Sequence, residues 1–271
     1  MNRQALNPLA AYAQSLARQA GTLLVQERQQ ASFSLELKRG IELVTSADIK
    51  ADACIRQGIE ACYPDHLILS EESSPHLSPQ QLKQGPVWII DPIDGTVNFA
   101  NGQPAVAVSI AFAWNGEVQV GVVHCPFLQE TFSAVRGQGA YLNGLPLQVQ
   151  PPLSVASALV ATGFPYERAP RAALLARLSR VMAEVQDVRR LGSAAIDLCY
   201  VAAGRLAGYF ETVKPWDMAA GALIVHEAGG VIGRSGALTS GLPAELDGEH
   251  LVAASPAFLP QLLELLGEPE H

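Results

Sequence analysis

The stretch WIIDPIDGTVNF, residues 88–99, changes character partway along. Trp88, Ile89 and Ile90 are apolar without alternation, the pattern of a strand covered on both faces, as in sheets sandwiched between helices. Asp91, Pro92, Asp94 and Gly95 then interrupt it, and each is a turn former for its own reason. Asp91 and Asp94 are three residues apart, about 10 Å if the chain is extended. Pro92 fixes one torsion and Gly95 frees another, so the chain can fold back and bring the carboxylates together. Two readings stay open here: a capped turn, or two acids sharing a cation, because close carboxylates repel unless a proton or a cation sits between them. Hard oxygen ligands select Mg²⁺ or Ca²⁺ over zinc, and the Ile93 carbonyl is available to complete such a shell. If a helix begins at Gly95-Thr96, its first N–H groups face the same volume and can hold a phosphate. The Thr96 hydroxyl could then pass a proton to Asp48 while orienting a water.

Moving outward, three more acidic sites stand at edges of regular elements. Glu71 and Glu72 follow the short apolar run LILS, and read alone they are a solvated loop pair. Asp217 follows KPW and opens the run MAAGALIV, where an N-cap role needs no metal. Thr45-x-x-Asp48 reads as a capping box at the start of a helix over TSADIKADACIRQGIEA that ends at Tyr63-Pro64. These acids form a functional set only if the fold gathers them.

The wider pattern predicts the rest. Leu6, Leu9, Ala13, Leu16, Ala17 and Ala20 follow a helical period, with Asn7 and Pro8 as cap and first turn. AVAVSIAFAW and EVQVGVVHC flank Asn115-Gly116, a type I′ hairpin signal, and ETFSAVRG adds a third strand. Residues 73–85, with two prolines, read as a loop. Pro151-Pro152 marks the boundary between sub-domains over 1–150 and 151–271. Beyond it, ALVATGF, AGYFE and LVAASP read as strands. Pro170–Gln186, GSAAIDLCYVAAG closed by Gly204, DMAAGALIVHEAGG closed by Gly229-Gly230, and FLPQLLELLG read as helices. Strands alternating with helices place the chain in the α/β class.

Composition narrows the function. The 271 residues are 49% hydrophobic and 16% charged, enough for a large core without a long disordered tail. No run of about 18 apolar residues offers a membrane span, and Gln14 and Arg18 break the N-terminal run that a secretory signal would need. A cytoplasmic protein is expected. Cys54, Cys62, Cys125 and Cys199 form no C-x-x-C pair, so reduced, buried thiols are expected, and neither they nor the six dispersed histidines make a zinc site. A net charge of −8 argues against a surface that coats nucleic acid. It also means that an anionic substrate is repelled unless a bound cation reverses the local field. No Walker motif or G-x-S-x-G is present, and RGQGAYLNG misses the third glycine of G-x-G-x-x-G.

Two long segments, WIIDPIDGTVNFA at 88–100 and PWDMAAGALIVHEAGG at 215–230, resemble the signature motifs of the inositol monophosphatase family. SEES at 70–73, ELVTSADIKAD at 42–52, and RRLGSAAIDLCYVAAGR with YFE extend the resemblance over nearly the whole chain. It implies a layered αβαβα sandwich, usually a homodimer, that hydrolyses a phosphate monoester with Mg²⁺ and is often inhibited by lithium. By position it implies that Glu71, Asp91 and the Ile93 carbonyl hold one Mg²⁺, and Asp91, Asp94 and Asp217 a second. Glu71 would also stand near a third ion. A metal-activated water, oriented by Thr96 and Asp48, would attack phosphorus in line with the ester oxygen. The amides of Gly95 and Thr96 would bind the phosphate; Gly192, Ser193, Ala194 and Glu211 would line the polyol pocket, with Asp94 and Asp217 beside them. The sequence departs from the family at Ala207, where aspartate is common, at Asp52, where glutamate is common, and in ANGQP, which lacks a basic residue. The substrate implied is inositol 1-phosphate. The alternatives are fructose 1,6-bisphosphate, histidinol phosphate or a 3′-phosphoadenosine nucleotide, or, in another class, a regulatory protein-binding module on the same fold.

Overall fold

The structure, a computed structural model, describes residues 3–30, 33–38, 42–164 and 171–267. Its elements run α1 (Arg3–Gln30), β1 (Leu35–Lys38), β2 (Glu42–Thr45), α2 (Ser46–Cys62), β3 (Leu67–Ser70), α3 (Pro79–Leu82), β4 (Pro86–Asp94), α4 (Thr96–Ala100), β5 (Ala107–Trp114), β6 (Glu117–Cys125), β7 (Glu130–Val135), β8 (Ala140–Leu142) and β9 (Leu145–Pro146). The second half continues β10 (Leu159–Thr162), α5 (Arg171–Glu184), β11 (Asp187–Arg189), α6 (Ala194–Ala202), β12 (Gly208–Glu211), α7 (Pro215–Glu227), β13 (Val231–Arg234), β14 (Leu251–Ala254) and α8 (Leu259–Leu266).

Alternation of side chains along the strands builds five layers. In β4 and β5, Trp88, Ile90, Val108, Ile110 and Phe112 pack on α1 and α2, while Val87, Ile89, Ala107 and Ala111 point the other way, toward α6 and α7. The five-stranded sheet repeats the logic: Tyr209, Leu251 and Ala253 face α6 and α7, and Val160, Phe210 and Val252 face α5 and α8. The result is an αβαβα sandwich, with α6 and α7 shared between sheets ordered β3-β4-β5-β6-β7-β8-β9 and β11-β10-β12-β14-β13. β3 is parallel to β4, and β10 is parallel to both neighbours. The remaining pairs of these two sheets are antiparallel.

One irregularity positions the site. β4 pairs with β5 at Asp91↔Ser109 and next at Asp94↔Ala107, so one extra residue is inserted over Pro92-Ile93. Residues three apart point to opposite faces of a regular strand; the bulge returns Asp94 to the face of Asp91. Ile90 and Ile93 accordingly share the α1/α2 core. Proline belongs there because it has no N–H to give the ladder.

Several expectations need correction. α1 begins at Arg3 with Pro8 inside it. Burial of Leu6 and Leu9 offsets the hydrogen bond that the proline removes. The segment 73–85 contains α3, capped by Ser78 and Gln81, each bonding the other's backbone N–H. α5 spans Arg171–Glu184; the expected start at Pro170 lies outside the described residues. Cys125 and Cys199 are buried free thiols, but Cys62 is exposed at the end of α2. Asn115 and Gly116 both adopt positive φ, as a type I′ turn demands. Among the described residues, no helix is long and apolar enough to cross a membrane.

Candidate active site

Strand pairing brings the first acids together. β3 runs parallel to β4 with Ser70 opposite Ile90, and the Glu71 N–H donates to the Ile90 carbonyl at 3.2 Å. Glu71 is thereby placed beside Asp91. From the other side of the cavity comes Asp217, in the first turn of α7. One carboxylate oxygen from each of Glu71, Asp91 and Asp217 lies within 4.8 Å of the others. Asp217 is not the N-cap expected from the sequence: the helix starts at Pro215, a favoured first position, and Asp217 sits two residues on. There it accepts the Lys214 N–H at 2.7 Å.

The electrostatics follow from the crowding. Burial first, then the charges of Glu71, Asp94 and Asp217, push Asp91 well above the usual carboxylate range. Burial and the Asp94 charge push Asp217 up to about 8, against the opposing effect of the Lys214 N–H. Buried oxygen donors of one sign at this spacing fit a hard divalent cation, whose charge would remove the repulsion. Asp91 keeps its orientation because its Oδ1 accepts the Ile93 N–H at 3.0 Å.

Asp94 stands apart from that trio. Its Oδ2 accepts the Ser193 hydroxyl and the Ala195 N–H, both at 2.7 Å, and so receives the start of α6. These bonds hold it at about 6, although burial raises it. Gly95 follows with φ 97°, a conformation that costs glycine little, and a Cβ there would meet the Ala105 carbonyl oxygen at 2.8 Å. α4 is one short turn, and its Asn98 Nδ2 donates to the Ala105 carbonyl and to the Leu191 carbonyl, close before α6, both at 2.7 Å.

Asp48 reconciles its two readings, one oxygen each. Oδ2 accepts the Thr45 N–H at 2.8 Å and the Thr45 hydroxyl at 2.6 Å, which completes the cap of α2. Oδ1 lies 3.1 Å from the Thr96 hydroxyl, which is equally close to the Ile93 carbonyl. Burial pushes Asp48 up to about 6 despite the Thr45 bonds.

Above these groups opens a cavity of ≈ 700 Å³. Glu71, Asp91, Ile93, Asp94, Gly95, Thr96 and Asp217 line it; Glu72 does not, and Asp48 reaches it through Thr96. Gly192, Ser193, Ala194 and Glu211 form the wall toward the second sheet. The Ser193 hydroxyl is already donated to Asp94, so its contribution to that wall is backbone. Glu211 accepts the buried Tyr209 hydroxyl at 2.7 Å, and burial raises it to about 7 against the effects of that bond and of Arg190.

A family model described as the inositol monophosphatase family matches residues 5–266. The chain belongs to the inositol monophosphatase family. The Nus factor SuhB of Pasteurella multocida is 41% identical over 95% of both chains. Among solved structures, the extragenic suppressor protein suhB of Bartonella henselae superposes with a TM-score of 0.86 at 34% identity, covering 96% of this chain and 98% of that one. The inositol monophosphatase of Anabaena (Nostoc) sp. PCC 7120 superposes with a TM-score of 0.82 at 33% identity, covering 98% of both. Family membership and these neighbours support a phosphatase built on the family's layered fold, and the acidic cluster agrees with the metal dependence general in the family.

Sequence reasoning assigned no role to Arg190 and Asp197, which line the cavity, or to Tyr209, buried behind Glu211. Asp197 is buried on α6, its Oδ1 has no hydrogen-bond partner among the described residues, and burial followed by the charges of Glu211 and Asp94 raises its pKa well above the usual range. A lone aspartate inside AAIDLCYVA was the available signal, since buried carboxylates are rare without cause. Arg190 lines the same wall, and its charge opposes the upward shifts of Asp94, Asp197 and Glu211. It stands second in RRLGSAAIDLCYVAAGR, where the resemblance covered the segment without giving this residue a role.

Proposed function

We propose that this chain is a Mg²⁺-dependent inositol-1-monophosphatase, releasing phosphate and inositol from the monoester. The observation that carries the reading is the convergence of Glu71, Asp91 and Asp217 within 4.8 Å under a large cavity, beside the Thr96–Asp48 pair. Glu71, Asp91, the Ile93 carbonyl, Asp94 and Asp217 would hold Mg²⁺. When bound, Mg²⁺ supplies positive charge to the phosphoryl oxygens and lowers the pKa of water. The chain's own residues do the rest. The Thr96 hydroxyl orients the attacking water and passes its proton to Asp48 Oδ1, a base whose partner oxygen is fixed by Thr45. An acceptor near 6 suits that task at neutral pH. The Gly95 and Thr96 amides bind phosphate oxygens, and Glu211 with the backbone of 192–194 orients the leaving group. The same reading includes a cytoplasmic homodimer, whose subunit count light scattering measures.

The deciding assay is phosphate release from inositol 1-phosphate, fructose 1,6-bisphosphate, histidinol phosphate and 3′-phosphoadenosine esters, with and without Mg²⁺. Fastest turnover on inositol 1-phosphate, lost on chelation, upholds the proposal; preference for another ester reassigns the substrate. A second reading is favoured by the name Nus factor carried by the Pasteurella relative. In it the fold docks a protein partner and catalysis is incidental. An Asp91→Asn chain that releases no phosphate yet restores a strain deleted for this protein would support that second reading.

A further inference from the structure

The parallel strands β10 and β12 pair Thr162 with Phe210, and the Thr162 hydroxyl donates to the Phe210 carbonyl at 2.7 Å. Gly163, the residue after β10, therefore stands beside Glu211, the last residue of β12. A Cβ on Gly163 would lie 2.0 Å from both Glu211 carboxylate oxygens. The Gly163 backbone is outside the left-handed region, so its torsions do not call for glycine. What requires glycine is the carboxylate that occupies the space of the missing side chain. On its other side the buried Tyr209 hydroxyl donates to Glu211 Oε2 at 2.7 Å. Glu211 thus lies in a slot, with bare backbone beneath and a phenol alongside.

We propose that Gly163 and Tyr209 are positioning residues that set leaving-group selectivity, by holding the Glu211 carboxylate against β10 where it can accept hydroxyls of a polyol ring. The proposal rests on the reading above, in which Glu211 contacts the leaving group. Any β-carbon at position 163 drives the carboxylate into the cavity, where it narrows the ring's space and misaligns the acceptor. The atoms in the way are the tip of a flexible side chain, so the backbone stays and the chain folds. The phosphate end of the cavity, built on β3, β4 and α7, is left as it was.

The test compares wild type with Gly163→Ala, Tyr209→Phe, Glu211→Ala and the Gly163→Ala/Glu211→Ala double variant. It measures KM and kcat for inositol 1-phosphate, the inhibition constant of inorganic phosphate, which has no leaving group, and the melting temperature. Losing a charge-assisted hydrogen bond corresponds to about ten- to a hundredfold. Gly163→Ala is expected to raise KM by that factor, with phosphate inhibition within about twofold of wild type. Tyr209→Phe moves KM the same way by less. The double variant is no worse than Glu211→Ala alone, because both changes remove one interaction. A wild-type KM in Gly163→Ala, or equal weakening of ester and phosphate, overturns the positioning role while Glu211 keeps its own. A wild-type KM in Glu211→Ala overturns the leaving-group reading itself. Should Gly163→Ala melt far below wild type, the claim that the side-chain tip yields is overturned, and an unchanged KM in Tyr209→Phe would overturn the rest.

Discussion

At the end of β4 two acids are held by hydrogen bonds to their own turn and to the start of α6, whereas at the end of β12 one acid is held by a phenol on its own strand and by the space that a glycine leaves after β10. Asp91 is held by Ile93 two residues away, and the bulge at Pro92 sets its relation to Asp94. Glu211 is held between Tyr209 and a glycine 48 residues earlier in the chain. The first region needs rigid geometry, because like charges must stay close until a cation neutralises them. On the proposed reading the second needs shape, because it would fit one leaving group and refuse others. Hydrogen bonds thus fix the acids at β4, and the space left by a glycine seats the one at β12.

Asp91→Asn strikes the first region hardest. It should lower phosphate release by about a thousandfold or more, the scale seen when one group stabilising transition-state charge is removed. The metal-free melting temperature should hold or rise, because the Ile93 bond survives and a buried charge is gone. Retained activity would remove Asp91 from the cation shell. Thr96→Val keeps shape but removes the hydroxyl between water and Asp48. It should cost about a hundredfold in kcat with little change in the Mg²⁺ concentration needed, measured by initial rates against Mg²⁺.

Stability against pH sharpens the comparison further. Asp217 rises from the ordinary value near 4 to about 8 in the fold. A raised carboxylate stabilises the fold fully below about pH 4, and that contribution is lost as pH climbs through about 8. In chelator the melting temperature should therefore fall from pH 5 to pH 8. Mg²⁺ takes the proton's place, so its stabilisation should be several degrees larger at pH 8 than at pH 5, read by thermal melts in each buffer. Equal shifts at both values would contradict a shared cation among these acids. Smallest of all, Gly116→Ala strains the hairpin turn at the end of β5 opposite the one that pairs with Asp91. Its cost is about 1 kcal/mol, a few degrees of melting temperature, with kcat and KM unchanged.

The contrast also explains what could be read without coordinates. Apolar runs ended by Gly, Pro and Asp announced β4, the β5–β6 hairpin and the helices, because these signals are local. The strands β8, β9, β11 and β13 are two to four residues long and are paired by their neighbours rather than by pattern. Asp91, Asp94 and Thr96 were legible as a motif. Both roles of Asp48, the cap of α2 and the partner of Thr96, were expected; that each takes its own carboxylate oxygen was not, since spacing does not orient a carboxylate. Nor could spacing reveal that Ser193 donates its proton to Asp94, or that Gly163 makes room for Glu211.

Between the two sheets, α7 lies almost flush on β6: a Cβ at Gly121 would sit 2.6 Å from the Ala220 carbonyl oxygen. Ala219 and Ala220 meet Ala107 and Ala111 of β5 in the same core. Small residues thus work as a spacer of fixed thickness, and Asp217 rides on the element they locate. The separation between Asp217 and Asp91 is governed by this bare contact rather than by the connecting segments. Loops around the rim can lengthen or shorten through descent while the gap between these two carboxylates stays at one width.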